Sequence, residues 1–172
     1  AAAIALMLGA LASSAQAQAP QSFRVISPIF GQLVTFSMPS NFVTVFENTK
    51  GGHYIREAVL KGESAQAWTQ MITVTGEKGV SDNPGLTPEK FAGNIAGGFK
   101  AACPDPVAAM GIGRGRFGEQ DGCVAVASCG SVTSAPDKHS ETALVIAGKG
   151  SAEYYTLQWA ERGPASGKPV ID

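Results

Sequence analysis

The pattern of apolar and polar positions predicts strands along most of this chain and a helix in one place. Residues 33–37 and 42–47 are rich in β-branched and aromatic side chains, and Met38-Pro39-Ser40-Asn41 separates them. Runs of this kind, bounded by turn residues, read as strands. Asn48-Thr49-Lys50-Gly51-Gly52 is a turn signal, and positions 53–60 after it alternate. This segment is therefore expected to pair with 42–47 as a hairpin. Lys61-Gly62-Glu63 breaks the pattern. Residues 64–68 suit one helical turn leading into a strand at 69–75, and 76–85 reads as a polar loop.

The period then changes. Phe91, Ile95, Phe99 and Ala102 recur at three- and four-residue spacing, which predicts a helix over 88–102. Thr87 is a suitable N-cap, Pro88 fits the first helical position and Glu89 complements the dipole. Gly93, Gly97 and Gly98 weaken a helix intrinsically, and are expected to let it lie close against a sheet. Pro104 and Pro106 are expected to end it. Residues 107–122 read as a glycine-rich loop, and 123–129 as a narrow strand with small residues on its cysteine face. After a polar loop at 130–140, segments 142–147 and 154–159 are expected to form a hairpin through Lys149-Gly150-Ser151. The expected fold is α+β: a single, mostly antiparallel sheet of about six strands with one principal helix, 88–102, packed across it.

The amino terminus adds an address. Residues 4–12 are an uncharged apolar run, and small residues follow up to Ala17-Gln18-Ala19-Pro20. That is the form of a secretory signal peptide, expected over 1–17 with cleavage after Ala17. The run is roughly half the length of about 20 residues that spanning a bilayer requires. A flexible lead-in is expected over 18–32, with a short strand at 23–26. A single domain is expected over 33–165 and a tail over 166–172. The chain opens Ala-Ala-Ala without Met or a basic segment and stops at Val170-Ile171-Asp172 without a recognisable end, which is compatible with a truncated chain. No Cys precedes Cys103 to carry a lipid near the cleavage site, and no membrane anchor is expected.

Charge narrows the partners. Thirteen Lys+Arg against fourteen Asp+Glu give a net charge of -1, too balanced for the basic face of a nucleic-acid binder. Outside the cytoplasm, the cysteines Cys103, Cys123 and Cys129 are expected to form a disulfide. Cys123 and Cys129 lie about 20 Å apart along one expected strand, beyond disulfide reach. Cys103 must then be a partner, and Cys103–Cys129 is favoured because Cys129 ends its strand near a helix terminus. Closing that loop stabilises by roughly 3.5 kcal/mol. Cys123 is left as a buried inert thiol, or as the partner of a cysteine in a further C-terminal segment.

Catalytic constellations are sparse. Gly113-Arg114-Gly115-Arg116-Phe117-Gly118 matches G-x-G-x-x-G, but a dinucleotide site needs a strand before it and a helix after it. The expected order here is the reverse. Arg114 and Arg116 remain candidates for binding an anion. His53 shares a strand face with Glu57, and that pair suits proton transfer. His139-Ser140-Glu141 has the H-x-E of zinc deaminases without their P-C-x-x-C. Ser81-Asp82-Asn83 lacks an accompanying S-x-x-K. No metal site and no cofactor is expected. Trp68, Tyr154, Tyr155 and Trp159 are expected in the core and on the sheet faces; gathered on one exposed face they would instead mark a ligand or partner surface.

The segments Gly52-His53-Tyr54-Ile55-Arg56-Glu57, Trp68-Thr69-Gln70-Met71-Ile72-Thr73, 91–103 and Tyr154-Tyr155-Thr156-Leu157-Gln158-Trp159-Ala160-Glu161-Arg162 resemble an uncharacterised family of exported proteobacterial proteins. The resemblance covers most of the mature chain and implies no particular activity. The order of elements also resembles PsbP-like domains, which implies an α-β-α sandwich. The expected function is a non-catalytic periplasmic or secreted domain that binds a protein partner or a small ligand at the cell envelope. The alternative is a small hydrolase-type enzyme using His53 and Glu57 near the loop 111–118. The two separate on whether these residues and the arginine loop line one pocket.

Overall fold

Nine strands and one helix are present in the computed structural model, which describes residues 21–103, 107–133 and 137–171. The expected leader and the prolines expected to end the helix lie outside the described residues. The order is β1 (Ser22–Ile29), β2 (Gln32–Pro39), β3 (Phe42–Lys50), β4 (His53–Leu60), β5 (Gln70–Glu77), α1 (Pro88–Ala102), β6 (Val107–Phe117), β7 (Gln120–Val132), β8 (His139–Lys149) and β9 (Tyr154–Pro164). They form two antiparallel sheets: the hairpin β1-β2, and seven strands in the order β3-β4-β5-β9-β8-β7-β6. This mostly β architecture replaces the expected α+β single sheet of about six strands.

Two segments account for the difference. The glycine-rich stretch expected to be a loop is β6, an edge strand that pairs along its length with β7. Nearly all of it is exposed, so no buried face imposed the apolar alternation by which strands are read. Its pairing comes from the backbone of β7. The expected lead-in contains β1, whose inward positions are Val25, Ser27 and Ile29. Ser27 interrupts the apolar pattern because it accepts a hydrogen bond from Arg56 Nη1 at 2.7 Å. Phe30 (φ 49°) and Gly31 (φ 88°) close β1 onto β2, as a two-residue hairpin turn with both φ positive requires.

The large sheet is two meanders, β3-β4-β5 and β6-β7-β8-β9, joined where β5 pairs with β9. One face is covered by the β1-β2 hairpin. There Val25 and Met38 pack on Phe42, Ala58 and Ile72, and Ile29 packs among Tyr54, Val74 and Tyr155. The approach is close enough that a Cβ on Gly76 would lie 2.7 Å from Ile29 Cγ2. Only glycine fits that point. An α-β-α sandwich would put a helix on this face; among the described residues the hairpin occupies it.

The other face carries α1, which runs over β7 and β8. Thr87 caps it by accepting from Lys90 N–H, and the Cys103 N–H donates to Phe99 O at 2.8 Å. Phe91 and Ala92 pack on Cys123, Ala147 and Tyr154, while Ile95 and Phe99 meet Trp68, Met71, Val145 and Ala160. Gly93, Gly97 and Gly98 do not face the sheet, contrary to expectation: a Cβ on any of them would meet nothing within 4 Å. The aromatic and alanine positions make the contact instead. Cys103, at the end of α1, and Cys129 of β7 lie at bonding distance (S–S 1.93 Å), the pairing favoured by the spacing. Among the described residues no helix is long and apolar enough to cross a membrane.

Candidate functional site

Because α1 covers β7 and β8, the same face of β4, β5 and β9 is left partly open. The register fixes which side chains lie there. One row across the sheet is Val59, Met71, Ala160 and Ala143, all apolar. The next is Glu57, Thr73 and Gln158, and the third includes Thr75 and Thr156. Directly paired side chains on one face sit about 5 Å apart at Cβ, so each row acts as a continuous surface. Polar rows thus cross a face whose neighbouring row is buried core. Thr75 and Thr156 share a buried hydroxyl–hydroxyl bond of 2.6 Å, and Gln158 Nε2 donates to Thr156 Oγ1 at 3.0 Å.

These rows form the floor of a cleft of about 400 Å³. Phe99 of α1 and Ala65 and Trp68 of the β4–β5 connection form its walls. Trp68 is only 8 % exposed, held by the Arg162 guanidinium 3.7 Å from its ring centroid. A cation over an aromatic face is attracted to the ring's negative quadrupole. Arg162 Nε also donates to its cross-strand partner Glu141, at 3.3 Å. His139 donates from Nδ1 to the Asp137 carbonyl at 2.8 Å, which leaves Nε2 facing the Glu141 carboxylate at 3.6 Å.

Glu57 differs from every charge around it. No described residue hydrogen-bonds to its carboxylate or pairs with it, and burial raises its pKa above the usual carboxylate range. It is a half-buried charge that lines the cleft. Glu141, in contrast, is neutralised by Arg162. No Ser, Cys or His lines the cleft among the described residues; its hydroxyls and carboxylates are those of Thr73, Thr75, Glu57 and Glu141.

His53 lies elsewhere. It begins β4 beside the turn, is exposed, and bonds through Nδ1 to Glu77, its cross-strand partner on β5. Along the strand it is about 13 Å from Glu57. Arg114 and Arg116 stand on β6, five strand intervals from β4, or about 24 Å. Arg114 pairs with Glu89 at the start of α1, and Arg116 donates to the Glu119 carbonyl in the β6–β7 turn. Arg114 sits at the rim of a second cleft, about 460 Å³, between α1 and β6. Cys123 lies at its base with its thiol pKa raised, by burial and then by Glu89. His53, Glu57 and the arginines therefore line no common pocket. Among the described residues no three His, Cys, Asp or Glu are grouped to hold a metal.

No protein-family model matches the chain, and no curated protein matches it. The site rests on its own geometry. Thr73, Gln158 and Arg162 are absent from the candidates legible in the sequence. Thr73 and Thr75 alternate with Ile72 and Val74, and Thr156 and Gln158 with Leu157 and Trp159. That alternation reads as an ordinary solvent face. Only the β5–β9 pairing turns two such faces into one floor.

Proposed function

We propose that this chain is an exported, non-catalytic module that binds a small ligand in the cleft beneath Trp68 and Phe99. The carrying observation is the polar floor of Glu57, Thr73 and Gln158, set against a buried apolar row and open to a cleft that no Ser, Cys or His lines among the described residues. A concave, mostly apolar site with a few convergent polar groups is how small-molecule sites are generally built. Export is supported by the leader-like segment at 1–17, the resemblance to exported proteobacterial proteins and the Cys103–Cys129 pair. Disulfides persist mainly in oxidising compartments. The hydrolase alternative draws no support from His53, which is turned to Glu77.

A fragment screen read by protein NMR tests the binding proposal. Ligands are expected to shift the Trp68 indole and the Thr73 and Gln158 amides together. Thr73→Phe, which fills the floor with a strand-compatible side chain, is expected to remove those shifts. Fragments that bind only elsewhere, or that bind Thr73→Phe unchanged, would overturn the reading.

A further inference from the structure

We infer that the cleft selects organic cations, specifically small molecules with a primary ammonium head and an apolar body, and that Glu57 is their counter-ion. The inference rests on the ligand-binding reading above and adds the chemical class.

The charges lining the cleft are Glu57, Glu141 and Arg162. Arg162 is already used twice, by Glu141 and by the face of Trp68. His139 reaches Glu141 as well. The open charge is therefore negative and belongs to Glu57. A half-buried carboxylate without a partner has lost part of its hydration and received nothing in exchange. A cationic ligand restores that partner, a neutral ligand does not, and an anion is repelled.

The rest of the floor has matching hydrogen-bond polarity. Gln158 gives one of its two amide N–H donors to Thr156, and its Oε1 is free to accept. Thr73, between Gln158 and Glu57 in the register, carries a hydroxyl with no partner among the described residues. Carboxylate, hydroxyl and amide oxygen thus stand in one row, and all three can accept. A primary ammonium has three donors and no acceptor. The adjacent row, Met71, Ala160 and Ala143, together with Phe99, supplies an apolar track for the body of the ligand. Burial raises the Glu57 pKa, so binding of a cation is expected to weaken as pH falls through that value.

The test uses three probes of one shape: phenethylammonium chloride, 2-phenylethanol and 3-phenylpropionate. Each is titrated at neutral pH while the Trp68 indole and Thr73 amide resonances are followed. Phenethylammonium is expected to bind at least about tenfold more tightly than the alcohol, as a charge-assisted hydrogen bond implies, and the carboxylate is expected not to bind. Glu57→Gln keeps the side-chain volume and removes the charge. It is expected to bring amine and alcohol to within about twofold of each other, with the remaining resonances unmoved. Equal binding of amine and alcohol by the native protein would overturn the cation assignment and leave the cleft reading intact. Failure of all three probes to shift either resonance would overturn the cleft reading, and the inference with it.

Discussion

Two clefts flank α1, and they treat charge in opposite ways. On the β6 side, Arg114 and Glu89 face each other at an exposed rim, where the Arg114 side chain is 80 % accessible. The Glu89 carboxyl is held below its usual range by the Thr87 hydroxyl, its own backbone N–H and Arg114. Every charge there has a partner or water. On the β9 side, Arg162 and Glu141 are each only about a fifth exposed, and Glu57 stands alone on the floor. The difference teaches that a charge is informative in proportion to its burial and to what it lacks. The arginines, conspicuous in the sequence, are satisfied at the surface. The inconspicuous glutamate is not.

The largest effect should come from removing what holds α1 between the two clefts. Cys103→Ala with Cys129→Ala is expected to lower stability by about 3.5 kcal/mol in urea denaturation, and to broaden resonances on both sides of the helix. Broadening confined to the β6 side would show that the β9 cleft does not depend on the helix position. Next, Arg162→Ala is expected to cost about 1–2 kcal/mol, because it uncovers Trp68 and leaves Glu141 without its partner. Arg114→Ala should stay within about 0.5 kcal/mol of the native protein, as exposed pairs do. Comparable losses for the two arginines would erase the distinction between the clefts.

A smaller gain tests the helix that separates them. Gly97→Ala is expected to stabilise by about 0.5–1 kcal/mol, since its Cβ would point into open space and the helix would lose a glycine. Destabilisation would mean that Gly97 is wedged against a neighbour. The smallest effect is a slope. Burial raises the folded-state pKa of Glu57 above that of a free glutamate, so its contribution to stability is intact below the unfolded value and is lost as pH rises through the folded one. Measured against Glu57→Gln, the native protein should lose relative stability as pH rises from about 4 toward neutrality. A slope of the opposite sign would show that Glu57 has a stabilising partner.

Local chemistry was legible where one segment carried its own signal. The cap at Thr87, the Phe91, Ile95 and Phe99 stripe of α1 and the glycine turn before His53 all act within a few residues, and the structure forms them, while Ala102, read into the same stripe, is exposed. The site was not legible in the same way. His53 and Glu57 share a strand face, yet the neighbours that decide what each does lie on β5. There His53 meets Glu77, and Glu57 meets only Thr73, which is uncharged. Gly93, Gly97 and Gly98 suggested close packing by composition, but which side of a helix turns inward is set by the partner surface.

The sequence by itself determined the helix, its cap, the β3-β4 and β8-β9 hairpins and which cysteine had to pair. Each depends on period, turn residues or strand length, and so on interactions within one stretch of chain. Only the tertiary structure decided how far β1 extends, that β6 is a strand, that β5 lies beside β9, and that Glu57, Thr73 and Gln158 form one row. Thr75 and Thr156 hydrogen-bond across 81 residues of sequence. A contact of that separation is fixed by the packing of two meanders and leaves no local signature on either strand.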